Sequence, residues 1–415
     1  MVKYLQSINL KSIDLFMLSL MIVTLPSLEA PKHIFLVGYL LTRALSEILK
    51  IKEGLSEWGY WDSLFLIIVS TALLSTLFSG FSGFEEWRGF KVFLTAILTG
   101  WLLSRAHYSK NQYRNFFKLI IIGTFPPLIF GFYEYFALDK SLQLHSVGHV
   151  NHSAIYLVMI FGSSFGWFLS QFDLKRKISE IKWQLVFTSI FSLVFFFSLI
   201  IGQSRGAFGI GCMLGLSLLF LFGKNRIIKT LGTLSFISIL IIMSISQPGI
   251  IQKQIANQSN NNTLAFRSQV WNVSIEAFRF HPLLGIGMSN WHFISLDHLK
   301  KSLEKRNGTF NEKNYYLAGH SHNLYLTALV ERGVIGLAVI ILFMLAWMHQ
   351  LTKTFFWAKK TEEATYLWAG SFGAWLAVFG IGLVNTTFHH EHGILACLFL
   401  GLYLSYTHYH LKNKF

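Results

Sequence analysis

The sequence has little charge and almost no cysteine. Charged residues make up 13% of its 415 positions, whereas a typical soluble domain has about 25%. Hydrophobic residues make up 53% and the mean hydropathy is +0.48, so the composition excludes an ordinary soluble enzyme. The two cysteines, Cys212 and Cys397, lie inside apolar runs, which excludes a disulfide framework and a thiolate metal cluster.

Acidic residues are also scarce. The sequence has 20 Asp and Glu and 35 Lys and Arg, so its formal net charge is +15. Such an excess would suit a nucleic-acid-binding protein. Most of the basic residues, however, lie in the connections between alternate apolar runs, which the positive-inside rule places in the cytoplasm. We therefore attribute the charge to membrane topology and predict no nucleic-acid partner.

Long apolar runs, in contrast, recur along the whole chain. They have about 17 to 25 residues, the length that a helix needs to cross ~30 Å of hydrocarbon. We predict an all-α, polytopic membrane bundle of about twelve transmembrane helices, surrounded by membrane lipids and with both termini in the cytoplasm. The predicted spans are centred near Leu20, Tyr39, Val69, Ala96, Ile129, Phe161, Ile190, Leu214, Ser238, Val339, Trp375 and Leu400.

One long polar segment interrupts this pattern between the ninth and tenth spans. It predicts a long loop on the outer face of the membrane over 248–321, between nine transmembrane helices in 1–247 and three in 322–415. Within the loop we predict an amphipathic helix over 264–280 that lies over the bundle, and a helix followed by a loop over 289–313. The apolar residues at helical spacing in the first helix are Phe266, Val270, Trp271, Ile275 and Phe278.

The strongest local pattern begins where this loop ends. His322 and Asn323 are followed, after nine further residues, by Gly333 and Gly336. A helix is predicted to start here, so its positive end would face the outer membrane surface and favour an anion such as a phosphate. The same positive end disfavours an imidazolium, which would keep His322 neutral and able to accept a proton.

A structural interpretation of the same pattern stands beside the catalytic one. Ser321 or Asn323 would cap a helix over 324–347, and His322 would be an interfacial residue at this cap. The glycines would then only allow close helix packing. The surrounding features favour the catalytic interpretation.

Three arginines are candidates for binding a negatively charged ligand. Arg205 lies between two apolar runs with almost no loop between them. An arginine at or near the depth of the membrane is costly and usually indicates a functional site. The alternative is that its side chain reaches the lipid headgroups. Arg267 and Arg279 are twelve residues apart on the predicted outer helix, about 18 Å along its axis. The two arginines therefore cannot bind the same pyrophosphate. We favour Arg267, which lies one turn before Trp271.

Two further outer connections are rich in histidine. Histidine clusters suggest a metal site, but these lack the i, i+4 spacing and the paired carboxylates of such sites. We therefore predict no metal and interpret them as the lining of a sugar pocket or as solvated loops. The residues concerned are His149, Asn151 and His152 in the first connection and His389, His390 and His392 in the second.

Together these motifs resemble the O-antigen ligase family, within the superfamily that also contains O-antigen polymerases and bacterial O-oligosaccharyltransferases acting on pilin. The resemblance covers the whole architecture, and the family pattern His-[Asn/Ser/Gln]-x9-Gly-x-x-[Gly/Thr/Tyr] is present. One departure concerns the family pattern Arg-x3-Leu, which fits Arg279 rather than Arg267. The matching segments are His322-Asn323 with Gly333 and Gly336, Ser204-Arg205-Gly206, Arg267 to Trp271, Pro282 to Gly287, and Gly148 to Ala154.

The resemblance implies an enzyme without a cofactor that transfers a glycan from undecaprenyl pyrophosphate to lipid A-core. The reaction would occur at the periplasmic face of the bacterial inner membrane, with inversion at the anomeric carbon. His322 would remove the proton from the acceptor hydroxyl while Arg205 and Arg267 stabilise the leaving pyrophosphate. The residues predicted to bind substrate are Asn323, His320, Asn151, His152 and Arg279.

Other functions fit the same sequence less well. An O-antigen polymerase and a protein O-oligosaccharyltransferase would share the fold and the motif. A lipid-linked glycan flippase or another transporter would be expected to have charges throughout the bundle and two related halves. The candidate polar residues here instead cluster at one membrane face, which favours the enzyme.

Overall fold

The structure, a computed structural model, describes residues 10–52, 57–81, 83–172, 178–223, 226–246 and 266–411. These residues form fourteen α-helices and no β-strand, so the all-α prediction is confirmed. In chain order the helices are α1 (Leu10–Thr24), α2 (Glu29–Lys52), α3 (Tyr60–Leu77), α4 (Glu85–Ser104), α5 (Lys110–Leu138), α6 (Val150–Gln171), α7 (Ile178–Ile201), α8 (Arg205–Phe222), α9 (Arg226–Ser246), α10 (Arg267–Phe278), α11 (Leu296–Glu304), α12 (Leu324–Ala358), α13 (Glu362–Trp375) and α14 (His390–Leu411).

Each of the twelve predicted span centres lies inside one of these helices. Seven helical stretches among the described residues are long and apolar enough to cross a membrane, so the multi-pass character is supported. The count of twelve spans, the periplasmic loop and the three-part division of the chain stay predictions. The seven stretches are Tyr60–Leu77, Lys110–Leu138, Val150–Gln171, Trp183–Ile201, Arg205–Phe222, Leu324–Ala358 and Glu362–Leu383.

Helices α6 and α13 form the centre of the bundle, where most of their residues are buried. Small residues let their backbones approach closely, as is usual between transmembrane helices. A Cβ atom added at Gly166 of α6 would lie 2.2 Å from the Cβ atom of Ala369 in α13. The close packing holds the first turn of α6, which carries Asn151 and His152, in a fixed position beside the end of α13.

The outer segment 266–323 has a hydrophobic core of its own. Helix α10 contributes Val270, Val273 and Ala277, whereas the predicted stripe is more exposed at Phe266 and Ile275. The predicted helix is therefore confirmed within the described residues. Of the predicted stripe, Val270 belongs to the buried core and Phe278 packs against it, so packing against neighbouring segments decided which part of the stripe was covered. The core contains Val270, Val273, Ala277, Ile286, Trp291, Ile294, Leu299 and Val330.

Helix α12 is interrupted one third of the way along, at Gly333. This residue has φ 66° and ψ −170°, a combination that only glycine adopts readily. The next two backbone N–H groups leave the helical pattern. Val334 donates to the carbonyl oxygen of Pro282 at 2.9 Å, and Ile335 donates to that of Leu283 at 3.4 Å.

The carbonyl groups on the other side of the break are also satisfied from outside α12. The oxygen of Val330 accepts from the N–H of Ile286 at 2.9 Å. The oxygen of Glu331 accepts from the N–H of Gly287 at 3.0 Å and from the hydroxyl of Ser75 at 2.8 Å. These four backbone groups thus have partners outside α12, as buried groups require. The segment that follows α10 is thereby fastened into α12.

Candidate functional site

His322 lies directly before the first turn of α12, in a left-handed backbone conformation with φ 51°. Asn323 caps the helix, because its Oδ1 accepts from the N–H groups of Tyr325 at 2.9 Å and Leu326 at 3.0 Å. Its Nδ2 donates to the carbonyl oxygen of Leu383 at 3.0 Å. The predicted cap is confirmed. The side chain of Asn323 thus holds the backbone around His322. Its substrate-binding role stays a prediction.

A second histidine supports this backbone conformation. The N–H of His322 donates to Nδ1 of His320 at 3.1 Å, and the Thr386 hydroxyl lies 3.0 Å from the same nitrogen. A nitrogen that accepts a hydrogen bond from an N–H group carries no proton, so His320 is neutral with its proton on Nε2. Burial, followed by the proximity of His322, lowers the pKa of His320 to about 4. The structure thus makes His320 a support for His322.

The imidazole of His322 is half-buried. Burial lowers its pKa, the positive charge of Arg267 lowers it further, and a hydrogen bond with Asn385 acts in the opposite direction. A pKa below the usual value leaves the ring neutral at pH 7 and able to accept a proton. The sequence predicted a neutral His322 from the helix dipole, whereas here burial and Arg267 are the main causes.

Arg205 and Arg267 come together although 62 positions separate them. Arg205 begins α8 and Arg267 begins α10. Burial lowers the pKa of Arg267, and the positive charge of Arg205 lowers it further. Since charges influence each other in this way only at short range, Arg267 lies near both Arg205 and His322, and we treat the three residues as one group. We call it the His-Arg site.

Arg279 lies at the opposite end of α10, where it forms the C-cap. Its Nη1 is 3.3 Å from the carboxylate of Glu276, which also accepts from Arg306. About 18 Å of helix separates it from Arg267. The structure therefore does not bring Arg279 into the His-Arg site, and its substrate-binding role stays a prediction.

Replacing Arg267 with lysine should lower the glycan transfer that the resemblance implies by about 10- to 100-fold, the effect of losing a hydrogen bond to a charged group worth ~1.5–3 kcal/mol. Lysine keeps the charge but loses the planar fork that binds phosphate oxygens in pairs. Arg279→Lys is the matched control on the same helix and should keep near-normal activity. The measurement compares the initial transfer rates of the two variants in membranes, normalised to protein level. A larger loss in Arg279→Lys than in Arg267→Lys would contradict the His-Arg site.

A cluster of histidines lies beside the His-Arg site. The ring of His152 in α6 has its centroid 4.9, 5.3 and 5.2 Å from those of His389, His390 and His392. His149 is 5.6 Å from His152 and accepts from the N–H of Asn151 at 3.2 Å. We call these residues the histidine cluster. His149 also lowers the pKa of His322, so the cluster and the His-Arg site face one another.

The two ring nitrogens of His392 are buried and have no hydrogen-bond partner. No group of three or more His, Cys, Asp or Glu side chains in the described part of the chain is arranged to hold a metal ion. The unpartnered nitrogens of His392 are able to form hydrogen bonds with a polar ligand. Neutral imidazoles can donate and accept with sugar hydroxyls.

Lys32, Asn385 and Thr386 were not predicted. Lys32 is buried, where it pairs with Glu391 and lies 2.7 Å from the Ser146 hydroxyl. This ion pair anchors the histidine-bearing start of α14. Asn385 and Thr386 hold His322 and His320. No local signal marks these residues, because their partners lie far away in sequence.

The O-antigen ligase family model matches residues 190–341. This segment contains Arg205, Arg267, His320 and His322, as well as the break in α12. The match confirms the resemblance to that family over the segment that builds the His-Arg site. No curated protein matches the chain.

Proposed function

We propose that the protein is an O-antigen ligase that transfers a glycan from undecaprenyl pyrophosphate to lipid A-core during lipopolysaccharide biosynthesis. The grouping of Arg205, Arg267 and His322 inside the family match is the observation that carries this proposal. Two fixed positive charges beside a neutral base suit a reaction with an anionic leaving group. In this proposal the site faces the periplasm from the bacterial inner membrane.

The reaction is a single displacement. The acceptor hydroxyl oxygen forms a bond to the anomeric carbon while the bond from that carbon to the pyrophosphate oxygen breaks, so the configuration inverts. The proton of the hydroxyl passes to His322. Undecaprenyl pyrophosphate leaves with the bonding electron pair, and Arg205 and Arg267 stabilise its charge. The proposed reaction needs no metal or nucleotide.

The histidine cluster would line the part of the pocket that holds the sugars. Its rings stand next to the His-Arg site and offer nitrogen atoms buried from water, among them those of His392. A buried polar group gains most from a ligand that completes its hydrogen bonds. Asn151 and His152 would thus meet the glycan rather than the pyrophosphate.

A deletion strain examined on a lipopolysaccharide gel tests this function. Loss of a ligase should leave unsubstituted core, while undecaprenyl-linked polymer accumulates. A band of core bearing a single repeat would identify a polymerase, and an intact ladder with a changed protein mass would identify a protein O-oligosaccharyltransferase. Loss of a flippase would leave lipid-linked units on the cytoplasmic face with no polymer. The three latter outcomes contradict the proposal.

A further inference from the structure

A cavity of about 420 Å³ opens on the side of the bundle between α5, α6 and α7. Its volume lies in the range of ligand sites. Two of its lining residues are basic and most of the others are apolar or aromatic. The lining consists of Arg114, Lys118, Ile121, Ile122, Trp167, Gln184, Phe187 and Phe191.

The cavity is far from the His-Arg site. Trp167 follows His152 by fifteen residues on α6, which corresponds to about 22 Å along the helix axis. His152 marks the membrane face that carries the histidine cluster, so the cavity lies towards the opposite face. None of its residues takes part in the proposed transfer.

The two cations in the wall are one helical turn apart on α5. Arg114 uses one terminal nitrogen to bind Glu363, while its Nε is buried without a hydrogen-bond partner. Lys118 is exposed and forms no ion pair or hydrogen bond with the described residues. Glu362 accepts from Trp167 at 2.7 Å and from Gln184 at 2.8 Å, but both donors are neutral, so the charges of Glu362 and Glu363 offset that of Arg114. Lys118 is therefore the cation of the wall whose charge remains for a ligand.

The position of Lys118 along α5 indicates the depth of this charge. Helix α5 has 29 residues, which span about 43 Å, whereas the hydrocarbon layer is about 30 Å thick. Lys118 is eight residues from the helix start, about 12 Å, and so lies near the boundary between headgroups and acyl chains. A lysine at this depth extends its ammonium group into the headgroup region, where it can pair with a phosphate.

The rest of the wall suits a hydrocarbon chain. Ile122 and Phe187 are 57% and 54% exposed, and Phe191 continues the surface one turn further along α7. These apolar side chains line the same cavity as the two cations. A ligand that fits both parts has a negative head and an apolar tail.

We propose that this cavity binds an anionic phospholipid, with its phosphate at Lys118 and Arg114 and an acyl chain along Ile122, Phe187 and Phe191. Basic pockets between transmembrane helices bind such headgroups in other membrane proteins. The inference is independent of the transfer reaction, since it uses other residues at the other end of α6. In the orientation proposed above, the lipid belongs to the cytoplasmic leaflet.

Native mass spectrometry of the purified full-length protein tests the site. Wild-type protein should retain phosphatidylglycerol in preference to phosphatidylethanolamine. Lys118→Gln should weaken phosphatidylglycerol retention by about fivefold, the factor that ~1 kcal/mol per basic residue represents. Ile122→Trp, at an exposed position, should weaken it by obstructing the acyl chain. Lys110→Gln is the matched control, since Lys110 is exposed and lies on the same helix outside the cavity.

Three results would overturn the site. Equal retention of both lipids by wild-type protein would mean ordinary annular lipid, and equal loss in Lys110→Gln and Lys118→Gln would mean unspecific attraction of charge. Displacement of the bound lipid by millimolar inorganic phosphate would mean that the wall recognises phosphate alone. Glycan transfer measured on the same variants distinguishes this site from the proposed function, because Lys118→Gln should retain transfer in detergent.

Discussion

His322→Asn should lower glycan transfer by about 10²- to 10⁴-fold, the usual contribution of a general base. Asparagine tolerates the left-handed conformation that His322 adopts, with φ 51°, and it can keep the hydrogen bond with Asn385. It cannot accept a proton. The variant therefore removes the base while preserving the backbone, and initial transfer rates at equal protein level measure the loss.

His145→Ala is the control, because this exposed histidine lies in the connection before α6 and outside the His-Arg site. It should keep normal activity. Wild-type transfer should also persist down to a pH below 6.5, the usual pKa of histidine, since burial and Arg267 lower the pKa of His322. At still lower pH the ring becomes protonated, and transfer should fall. Normal activity in His322→Asn would contradict the general-base role and would mean that His322 is a structural residue before the helix cap.

Among substitutions that add a single methyl group to α12, Gly333→Ala should lower the stability of the protein most. A Cβ atom there would lie 2.2 Å from the carbonyl oxygen of Leu283, which is backbone and cannot rotate away. The φ/ψ combination of Gly333 adds a strain of about 1–3 kcal/mol for any other residue. The segment 282–287 would have to leave the break, and the outer segment that begins with Arg267 would move with it.

Thermal melting of the purified protein and hydrogen exchange at Ile286 and Gly287 measure this effect. The melting temperature should fall, the two amides should lose protection, and transfer should fall with them. Gly209→Ala is the matched control in α8, because an added Cβ atom there meets nothing within 4 Å. Wild-type melting and protection in Gly333→Ala would show that α12 does not need the break.

Some features of the protein follow from local sequence. Apolar runs alone predicted where the helices lie, because the cost of exposing hydrocarbon to water depends on each side chain itself. The cap at Asn323 was also predictable, since its side chain reaches only the N–H groups two and three residues ahead. The same holds for the existence of α10 and for part of its apolar stripe, since Val270 is buried whereas Phe266 and Ile275 are exposed.

Features that depend on partners distant in sequence were not predictable. The break at Gly333 needs the backbone of 282–287, and the histidine cluster needs α6 beside α14. Arg267 and Arg279 look alike as sequence, and only the tertiary structure places Arg267 near Arg205 and His322 while it pairs Arg279 with Glu276.

By itself, therefore, the sequence determined that this is a helical membrane protein, and it indicated which histidine and arginines carry the proposed chemistry. The tertiary structure decided which of these residues meet, why His322 is neutral, and how the outer segment is fastened to α12. The physical reason is range: helix formation and capping depend on neighbours within one or two turns, whereas burial and close-packed contacts join segments far apart in sequence, 240 positions for His152 and His392 and 359 for Lys32 and Glu391.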